Sequence, residues 1–486
     1  MMFNNNLLMG AASASGESLV SVGNSALFEM ANSESLTYTE QSGTSTTKQY
    51  ISIWLYRCKI ADTQMVWSCD DGSSNNREQL YMDSSDQLNF LSVVGGAIKC
   101  QLISTQLFRD TAWYNIEILL DTTQGVASNR NIIKVNGTRI SAFGTETNFG
   151  ASQAFGGLGT AGRTFRFGVG NGSQYLSAYL AECVRVDGDP SGIATAQYDS
   201  TGTFWTPLAS ATIKGLTFGT NGFYLDNTTN AQTDASGEGN NFTNNNTVVT
   251  DTHTPTNIEF LMSPINVTDP SDNPVLTNGN RTWSASSSSA QTRMGGNIPF
   301  PSSGKWIAGV IITELSDGKA FGIWSDRTDG DGFPSVGGFS GWHRTSVLVA
   351  YESDGSTVLS DTNWPQGTTQ AVGDQCWIAV DIDNSKTFFG YYDLSADAIL
   401  WYANDAGNDG NPATGDNPFE ENFNCAGMVW AGAAQNSKSF TLVKEADCPF
   451  TIPTGYSFLN TTNLAANITR THSNLEEYFS TTLYEG

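Results

Sequence analysis

The feature that most constrains the fold is a succession of short runs rich in Val, Ile, Phe, Tyr and Trp, which turn-forming dipeptides such as Asn-Gly and Asp-Gly separate. The run from Ala112 to Thr123 (AWYNIEILLDTT) alternates between two sets of positions, and Asn136-Gly137 supplies a tight turn further on. Alternation with a period of two is the pattern of a β-strand, whereas helical periodicity is nearly absent. The sequence therefore predicts an all-β protein built from two antiparallel β-sandwich domains in tandem.

A change in composition predicts the domain boundaries. Two segments carry the strand pattern, and the stretch from Asp234 to Asn257 between them has almost no large apolar side chains. Such a stretch contributes little core, so it predicts an interdomain connection. We predict an N-terminal attachment arm, a first sandwich, a linker, a second sandwich and a C-terminal tail at residues 1–17, 18–228, 229–257, 258–460 and 461–486.

The charge balance restricts the partners. The sequence has 23 Lys and Arg against 48 Asp and Glu, which gives a formal net charge of −25. Nucleic acids and anionic membranes attract basic surfaces, so neither is expected as a partner. No apolar run approaches the length of about 18 residues that a membrane span needs, and no membrane insertion is expected. Aromatic residues make up 11% of the chain, which is typical of a folded protein and not of a disordered acidic one.

The cysteines leave two interpretations open. Seven of them are scattered along the chain, at positions 58, 69, 100, 183, 376, 425 and 448, without a C-x-x-C pair of the kind that binds zinc. They are either buried thiols or disulfides, and Cys58–Cys69 and Cys425–Cys448 are then the candidate pairs.

The N-terminal segment does not have the pattern of a signal peptide, because its apolar run is short and its first positive side chain is Lys48. A segment without positive charge suits packing against a neighbouring subunit or a larger particle better than solvation. We therefore expect residues 1–17 to serve as an attachment arm.

The stretch from Asp374 to Asp393 (DQCWIAVDIDNSKTFFGYYD) places Asp381, Asp383 and Asn384 between two strand-forming runs. A calcium loop of the EF-hand type needs further oxygen ligands, a glycine, and a glutamate at its twelfth position, and the sequence does not supply them. An Asp-Asn-Ser turn between strand-forming runs predicts a β-hairpin instead.

Acidic loops elsewhere are candidates for Ca²⁺, at residues 68–78, 325–333 and 404–417. Ca²⁺ accepts irregular coordination by carboxylate and carbonyl oxygens. The tightest cluster is Asp326, Asp329 and Asp331, and these three residues are our candidate calcium ligands. The alternative is that Asp-Gly-Asn clusters form ordinary solvated turns.

The candidate ligand-binding residues are aromatic and basic side chains near loop signals. Trp342, His343 and Arg344 follow a glycine-rich stretch, and Trp324 precedes the acidic cluster. An aromatic ring stacks on the C–H face of a sugar, and a guanidinium donates paired hydrogen bonds. We predict a ligand site at Trp324, Trp342, His343 and Arg344, although most Trp residues of a sandwich belong to its core.

Catalytic patterns are missing from the sequence. Sandwich glucanases present their two carboxylates as E-x-D-x-x-E on one strand, and no such string occurs. The three histidines, His253, His343 and His472, lie far apart and belong to no known motif. A non-enzymatic protein without catalytic residues is therefore expected.

Elements of the first segment resemble laminin-G-like, concanavalin-type jelly rolls. These are the strand at Ala112–Thr123, the strand NIIKVNGTRI at Asn131–Ile140, and YLSAYLAECVRVDGD at Tyr175–Asp189, in the order found in that family. The resemblance spans about residues 18 to 226 and implies a concanavalin-like sandwich.

The second segment resembles a SPRY domain. It has an opening S-G-K-W strand at Ser303–Ile312 and the V-G-D hairpin that includes Asp374–Asp393. The resemblance covers about residues 282 to 460. Because SPRY domains are also concanavalin-like sandwiches, it implies two related architectures in tandem, and binding in place of catalysis.

Several strings resemble segments of virion structural proteins of marine tailed phages: FNNNLLMGAA near the start, LTFGTNGFYLDNT, DTHTPTN, and EEYFSTTLYEG at the end. The resemblance implies a non-enzymatic protein of the particle surface, a tail fibre or a head fibre or decoration. Its expected partners are other virion proteins and a host surface glycan, and a homo-oligomer, a trimer, is expected. A polysaccharide-degrading tail-spike enzyme and a secreted cell-adhesion lectin remain open as alternatives.

Overall fold

The computed structural model describes residues 20–109, 111–170, 173–199, 205–267, 274–284, 291–315, 319–324, 339–344, 348–351, 358–359, 370–402, 410–422, 425, 428–435 and 438–467. Among these residues, helices are limited to α1 (Ser210–Ile213), α2 (Thr461–Asn467) and single 3-10 turns at Met30–Asn32, Ala127–Asn129 and Glu445–Asp447. No helix in the described ranges is long and apolar enough to cross a membrane. The prediction of an all-β fold is confirmed. The predicted arm at residues 1–17 and most of the predicted tail lie outside the described residues.

The strands of the first half are β1 (Ser25–Phe28), β2 (Ser35–Thr39), β3 (Lys48–Arg57), β4 (Gln64–Asp70), β5 (Arg77–Met82), β6 (Gln87–Val94), β7 (Ala97–Leu107), β8 (Trp113–Asp121), β9 (Asn131–Val135), β10 (Thr138–Arg139), β11 (Phe143–Thr147), β12 (Thr164–Phe167), β13 (Ala178–Val186), β14 (Ala196–Tyr198), β15 (Trp205–Pro207), β16 (Phe223–Leu225), β17 (Thr243–Asn245) and β18 (Val249–Asp251).

The strands of the second half are β19 (Met262–Val267), β20 (Val275–Thr277), β21 (Thr282–Ser284), β22 (Gln291–Pro299), β23 (Lys305–Ile312), β24 (Lys319–Trp324), β25 (Phe339–Arg344), β26 (Leu348–Tyr351), β27 (Val358–Leu359), β28 (Gln375–Asp381), β29 (Lys386–Asp393), β30 (Ala398–Trp401), β31 (Glu420–Glu421), β32 (Val429–Gln435), β33 (Ser439–Leu442) and β34 (Tyr456–Phe458).

Two antiparallel sheets form the first sandwich. Sheet A has the order β10-β9-β8-β3-β13-β1-β18, with β16 beside β13, and sheet B has the order β11-β7-β6-β5-β4-β12-β2-β17. Alternation along β3 shows how the sequence builds this arrangement: Ile53 and Leu55 belong to the core between the sheets, whereas Trp54 belongs to a different core cluster on the outer face of sheet A. Asn136 and Gly137 have φ of 47° and 75°, so the predicted Asn-Gly turn closes β9 on β10.

Two further sheets form the second sandwich. Sheet D has the order β19-β22-β32-β24-β25-β26-β27, and sheet E has the order β20-β21-β33-β23-β28-β29-β30, with β31 beside β29 and β34 beside β23. The predicted hairpin is confirmed, because β28 pairs with β29 in a register that sets Asp381 opposite Lys386. Asp381 accepts hydrogen bonds from the backbone and side chain of Asn384, and Lys305 lies 2.8 Å from its carboxylate. The carboxylate at this turn is therefore held by protein donors.

The predicted linker at residues 229–257 is wrong, because this segment is part of the first sandwich. Its strand β17 pairs with β2 in sheet B, and β18 pairs with β1 in sheet A. Phe242 lies in an aromatic cluster of that sandwich, with ring centroids 5.0 Å from Phe223 and 5.7 Å from both Tyr38 and Phe167. One aromatic side chain and backbone pairing compensate for the sparse apolar content of the segment.

The two sandwiches share one core, although the sequence predicts two cores joined by a linker. A single cluster of buried apolar residues includes Trp54 and Trp113 from the outer face of sheet A and Met262 and Trp283 from the second sandwich. The boundary between the sandwiches is therefore a packed interface. We call this interface, with the polar groups that flank it, the joint.

All seven cysteines are free thiols, and all except Cys448 are buried. The interpretation as buried thiols is confirmed. Neither candidate pair, Cys58–Cys69 or Cys425–Cys448, forms a disulfide.

We expect Phe242→Ala to lower the free energy of unfolding by about 3–5 kcal/mol, because it removes a ring from a packed aromatic cluster. Val249→Thr is the control: Val249 belongs to the same segment but is 44% exposed, so this change stays within about 0.5 kcal/mol. Chemical denaturation of both variants measures the difference. Equal stability of the two would support a linker.

Candidate functional site

The predicted ligand residues of the second sandwich lie in strands, which corrects the expectation that Trp342, His343 and Arg344 are in a loop. They belong to β25, where Trp342 pairs with Phe321 of β24 and His343 pairs with Ala320. Trp324 is the last residue of β24. The glycine-rich stretch before β25 therefore ends earlier than the sequence pattern indicated.

The register also divides these positions between the two faces of sheet D. Directly paired residues of an antiparallel ladder share a face, and successive residues alternate. Phe321 is fully buried, and its ring stacks on Trp430 at 5.6 Å, so the position of Trp342 is on the core-facing side. The positions of His343 and Trp324 are on the opposite side. One site cannot use all of these residues from one face of the sheet, and their role in binding stays a prediction.

The calcium ligands predicted at Asp326, Asp329 and Asp331 lie outside the described residues. Within the described residues, no group of three or more His, Cys, Asp or Glu side chains is placed to hold a metal ion. A calcium site at the three aspartates therefore stays a prediction.

The acidic loop at residues 68–78 is held by protein donors. Asp71 accepts hydrogen bonds from the backbone and hydroxyl of Ser73 at 2.9 and 2.6 Å and from Asn76 at 2.8 Å, and Arg163 lies 3.2 Å away. The side-chain hydrogen bonds from Ser73 and Asn76 lower the pKa of Asp71 to about 2. For this loop the interpretation as an ordinary turn is the better one, because the carboxylate is already satisfied.

Glu182 is a buried acid on β13. A β-bulge between Ala181 and Val184 gives Glu182 a φ of 49°, a conformation that is uncommon for a residue with a side chain. Its carboxylate accepts a hydrogen bond from the Tyr224 hydroxyl. Burial raises the pKa of Glu182 to about 7, although the hydrogen bond from Tyr224 opposes this effect.

Glu182 lies beside a small apolar layer over one part of the outer face of sheet A. This layer contains Tyr224, Val184 and, from α1, Ile213. The joint covers another part of the same face. A buried acid in this position makes the stability of the fold depend on pH. In the sequence, Glu182 was visible only as a single glutamate in the string Ala181–Cys183.

A buried polar network at the joint centres on Arg281. Its guanidinium contacts both carboxylate oxygens of Asp251 at 2.8 and 3.0 Å, Glu259 at 2.5 Å, and the hydroxyl of Tyr179 at 2.7 Å. Lys444 donates to Asp251 at 2.7 Å. Asp251 and Tyr179 belong to sheet A, whereas Arg281 precedes β21 and Lys444 follows β33. The network therefore bridges the two sandwiches.

The charges at the joint support each other electrostatically. Burial by itself raises the pKa of Asp251, but Arg281 and Lys444 outweigh it and lower this pKa to about 2. Arg281 is only 2% exposed, so its ionised form depends on these carboxylates. At neutral pH Arg281 and Asp251 are therefore both ionised and form an ion pair.

His253 completes the joint and is one of the residues that sequence reasoning missed. It is fully buried, its Nδ1 accepts a hydrogen bond from the backbone N–H of Glu259 at 3.0 Å, and its ring lies 4.4 Å from Tyr56. Burial, and then the charge of Arg281, lowers its pKa to about 3. His253 is therefore neutral at physiological pH and has a structural role in the joint.

No protein-family model and no curated protein matches this chain. Among solved structures, domains LG4-5 of the mouse laminin α1 chain are similar to it with a TM-score of 0.30 and 8% identity, over 88% of this chain and 92% of that chain. The SPRY domain of human HERC1 gives a TM-score of 0.28 and 10% identity, over 38% of this chain and 98% of that chain.

A proposed carbohydrate-binding protein from Bacteroides ovatus gives a TM-score of 0.35 and 14% identity, and the match covers 48% of this chain and 60% of that chain. Both domain kinds that the sequence resembles are thus among the solved structures similar to it. At these TM-scores and identities, the similarities carry no functional conclusion.

We expect Arg281→Met to lower the free energy of unfolding by about 3–5 kcal/mol, because it leaves Asp251 and Glu259 buried without their shared partner. Arg139→Met, at an exposed position of β10, is the matched control and changes stability by at most about 0.5 kcal/mol. Chemical denaturation followed by tryptophan fluorescence compares the two. A loss no larger than that of the control would contradict a bridging role for Arg281.

We expect Glu182 to make stability depend on pH. Because its folded pKa, about 7, is above its unfolded value, the folded state binds more protons between about pH 4.5 and pH 7. The contribution of this group is fully present below the unfolded pKa and is lost as pH rises through the folded pKa, by about 3 kcal/mol in total. Glu182→Gln removes this dependence, so the variant gains stability relative to the wild-type protein between pH 4 and pH 8. Parallel pH profiles of the two proteins would show that the carboxyl group titrates normally.

Proposed function

We propose that this chain is a non-enzymatic surface protein of a bacteriophage virion, a tail fibre or a head fibre or decoration, whose sandwiches bind a host glycan or another virion protein. The observation that carries the proposal is the joint: two sandwiches with one shared core and a buried ionic bridge form a stiff unit. The strings that resemble phage virion proteins support the virion part of the proposal.

A stiff unit suits a protein that displays binding surfaces. Binding costs free energy for every element that must become ordered. A binding surface on a rigid base is already ordered, so its ordering cost is smaller. Among the described residues, deeply buried acidic and histidine side chains bond to other groups of the protein, as Asp251 and His253 do at the joint. This use fits a scaffold that presents surfaces.

Oligomerisation completes the proposal. Phage appendages gain attachment strength from closed symmetry, since several weak sites in one particle act together. We propose a homotrimer in which residues 1–17 contact a neighbouring subunit or the particle. A subunit with a net charge of −25 repels its copies at long range, so specific contacts from a segment whose single charged side chain is Glu17 are a suitable means of assembly.

The proposal is tested on purified phage particles that carry this gene and on the full-length chain. We expect immunogold labelling on the particle surface, binding of the chain to host cells, and no release of reducing sugars from host polysaccharide. Absence of the chain from particles would overturn the virion role, and sugar release would favour the tail-spike enzyme.

Deletion of residues 1–17 tests the arm separately. We expect the full-length chain to have the mass of a trimer by multi-angle light scattering and the truncated chain to have the mass of a monomer. The truncated chain should keep the circular dichroism spectrum and melting temperature of the parent, since the described sandwiches begin after this segment. A trimer that survives the deletion would contradict the arm's role.

A further inference from the structure

The turn between β20 and β21 contains an Asn-Gly pair, and the described chain has three such pairs, at Asn136-Gly137, Asn221-Gly222 and Asn278-Gly279. In an Asn-Gly pair the backbone nitrogen of the glycine can attack the side-chain carbonyl carbon of the asparagine, because glycine has no side chain that obstructs the approach. The attack closes a succinimide ring and releases ammonia. It requires that the asparagine amide is free to turn and that the glycine N–H gives up its proton.

The fold holds the side chains of two of these asparagines. Asn221 is fully buried, and its amide oxygen accepts hydrogen bonds from the Tyr38 hydroxyl at 3.1 Å and from the backbone N–H of Gln41 at 2.7 Å. The amide oxygen of Asn136 accepts a hydrogen bond from the backbone N–H of Asn115 at 2.9 Å. Neither amide can turn toward the glycine that follows it unless these bonds break, which costs free energy.

Asn278 differs, because its side chain is exposed and makes no hydrogen bond with another residue that the structure describes. Its backbone, by contrast, is fixed: Asn278 and Gly279 have φ of 53° and 59°. A Cβ atom on Gly279 would lie 1.8 Å from the hydroxyl oxygen of Tyr179, so this position requires glycine. The attacking nitrogen is therefore held in place while the side chain that it attacks is free to turn.

Glu29, which follows β1, places a base at the glycine nitrogen. Its Oε1 accepts the hydrogen bond from the N–H of Gly279 at 2.6 Å. Burial raises the pKa of Glu29, although the hydrogen bonds from the backbones of Gly279 and Asn278 oppose this effect. A carboxylate with a raised pKa takes up a proton more readily than an ordinary one. The N–H of Gly222 instead donates to the carbonyl of Gly219, which is not a base.

The other end of the same peptide group also favours loss of this proton. The carbonyl oxygen of Asn278 accepts a hydrogen bond from the backbone N–H of Arg281 at 3.1 Å. When the nitrogen of Gly279 loses its proton, negative charge develops on this oxygen, because the peptide group is delocalised. A donor that already points at the developing charge lowers the free energy of the charged state.

The charged and titratable groups around Glu29 leave it a base. Glu34, in the same turn, accepts a hydrogen bond from the backbone N–H of Glu29 at 2.7 Å and raises its pKa, whereas Arg281 lowers that pKa, and both effects are smaller than that of burial. Burial raises the pKa of the neighbouring Cys58 thiol well above its usual value, so this group stays neutral.

We propose that Asn278 converts itself to aspartate or isoaspartate, with Glu29 as the general base. The nitrogen of Gly279 forms a bond to Cγ of Asn278 while its proton passes to Glu29. The bond between Cγ and the side-chain nitrogen then breaks, and this nitrogen leaves as ammonia with the proton from Glu29. Water opens the succinimide at either of its two carbonyl groups, which gives aspartate or isoaspartate.

The product changes the joint. It adds a carboxylate to the turn that leads into Arg281, and the isoaspartate form lengthens the main chain there by one carbon atom. The carbonyl of Gly279 accepts a hydrogen bond from the Tyr179 hydroxyl at 2.8 Å, so the modified turn carries a contact between the two sandwiches. The proposal goes beyond the proposed function and does not depend on it.

The test is peptide mapping by mass spectrometry of the full-length chain after incubation at physiological temperature and pH. The three Asn-Gly pairs of one sample are compared with each other. We expect Asn278 to deamidate about tenfold faster, or more, than Asn136 and Asn221. In a sample unfolded in urea, the three rates become similar, and that of Asn278 falls below its rate in the folded chain because Glu29 is no longer beside it.

Glu29→Gln tests the base. Glutamine still accepts the hydrogen bond from Gly279 but does not take up its proton, so the rate at Asn278 falls by about tenfold or more. Between about pH 7 and pH 9 the wild-type rate is nearly constant, since an ionised carboxylate is the base, whereas the rate of the variant rises about tenfold per pH unit with the hydroxide concentration. Glu34→Gln, the same change in the same turn, is the matched control and keeps the wild-type rate and pH profile.

The measurements decide between the outcomes. A rate at Asn278 no higher than at Asn136 and Asn221 overturns the modification site. A rate and pH profile unchanged by Glu29→Gln overturns the role of Glu29. Melting temperatures check the fold of each variant, and if Glu29→Gln does not fold, the folded and unfolded wild-type chains decide: a rate at Asn278 no higher in the folded chain overturns the proposal.

Discussion

The ion pair between Arg281 and Asp251 is the interaction on which the relation of the two sandwiches depends. A guanidinium removed from water loses several kcal/mol of hydration, which only well-placed acceptors offset. Asp251, Glu259 and Tyr179 supply them, and the contacts require Asp251 and Tyr179 of sheet A to meet Arg281 at one position. Apolar packing alone would tolerate sliding, whereas bidentate geometry specifies both distance and orientation.

The apolar part of the joint explains why this network is buried at all. Trp54 and Trp113 place large rings on the outer face of sheet A, and His253 fills the space beside Tyr56 without a charge of its own. Because water is excluded there, a charged group such as Arg281 must be paired inside the protein. The same condition makes the joint sensitive to the loss of any one charged member.

Acidic residues in this protein often serve as internal acceptors. Glu78 is fully buried and accepts hydrogen bonds from the backbone N–H groups of Gly156, Gly157 and Leu158, and Asp71 is held by its own loop. Glycine-rich and Asn- and Ser-rich segments supply those donors. This use of carboxylates explains why acidic clusters resemble metal sites in the sequence.

The sequence by itself determined the fold class, the strands around Trp113 and Asn131, the Asn-Gly turn and the hairpin at Asp381, because alternation and turn chemistry act over a few residues. Only the tertiary structure determined which residues pack against each face of the sheets. Phe242 looked like an isolated ring in a linker until the packing of Phe223 and Tyr38 around it was known. Arg281 and Lys444 lie 30 and 193 residues from Asp251, so no local pattern connects them. The face to which Trp342 belongs depends on its register with Phe321, and the sequence of neither strand contains that register.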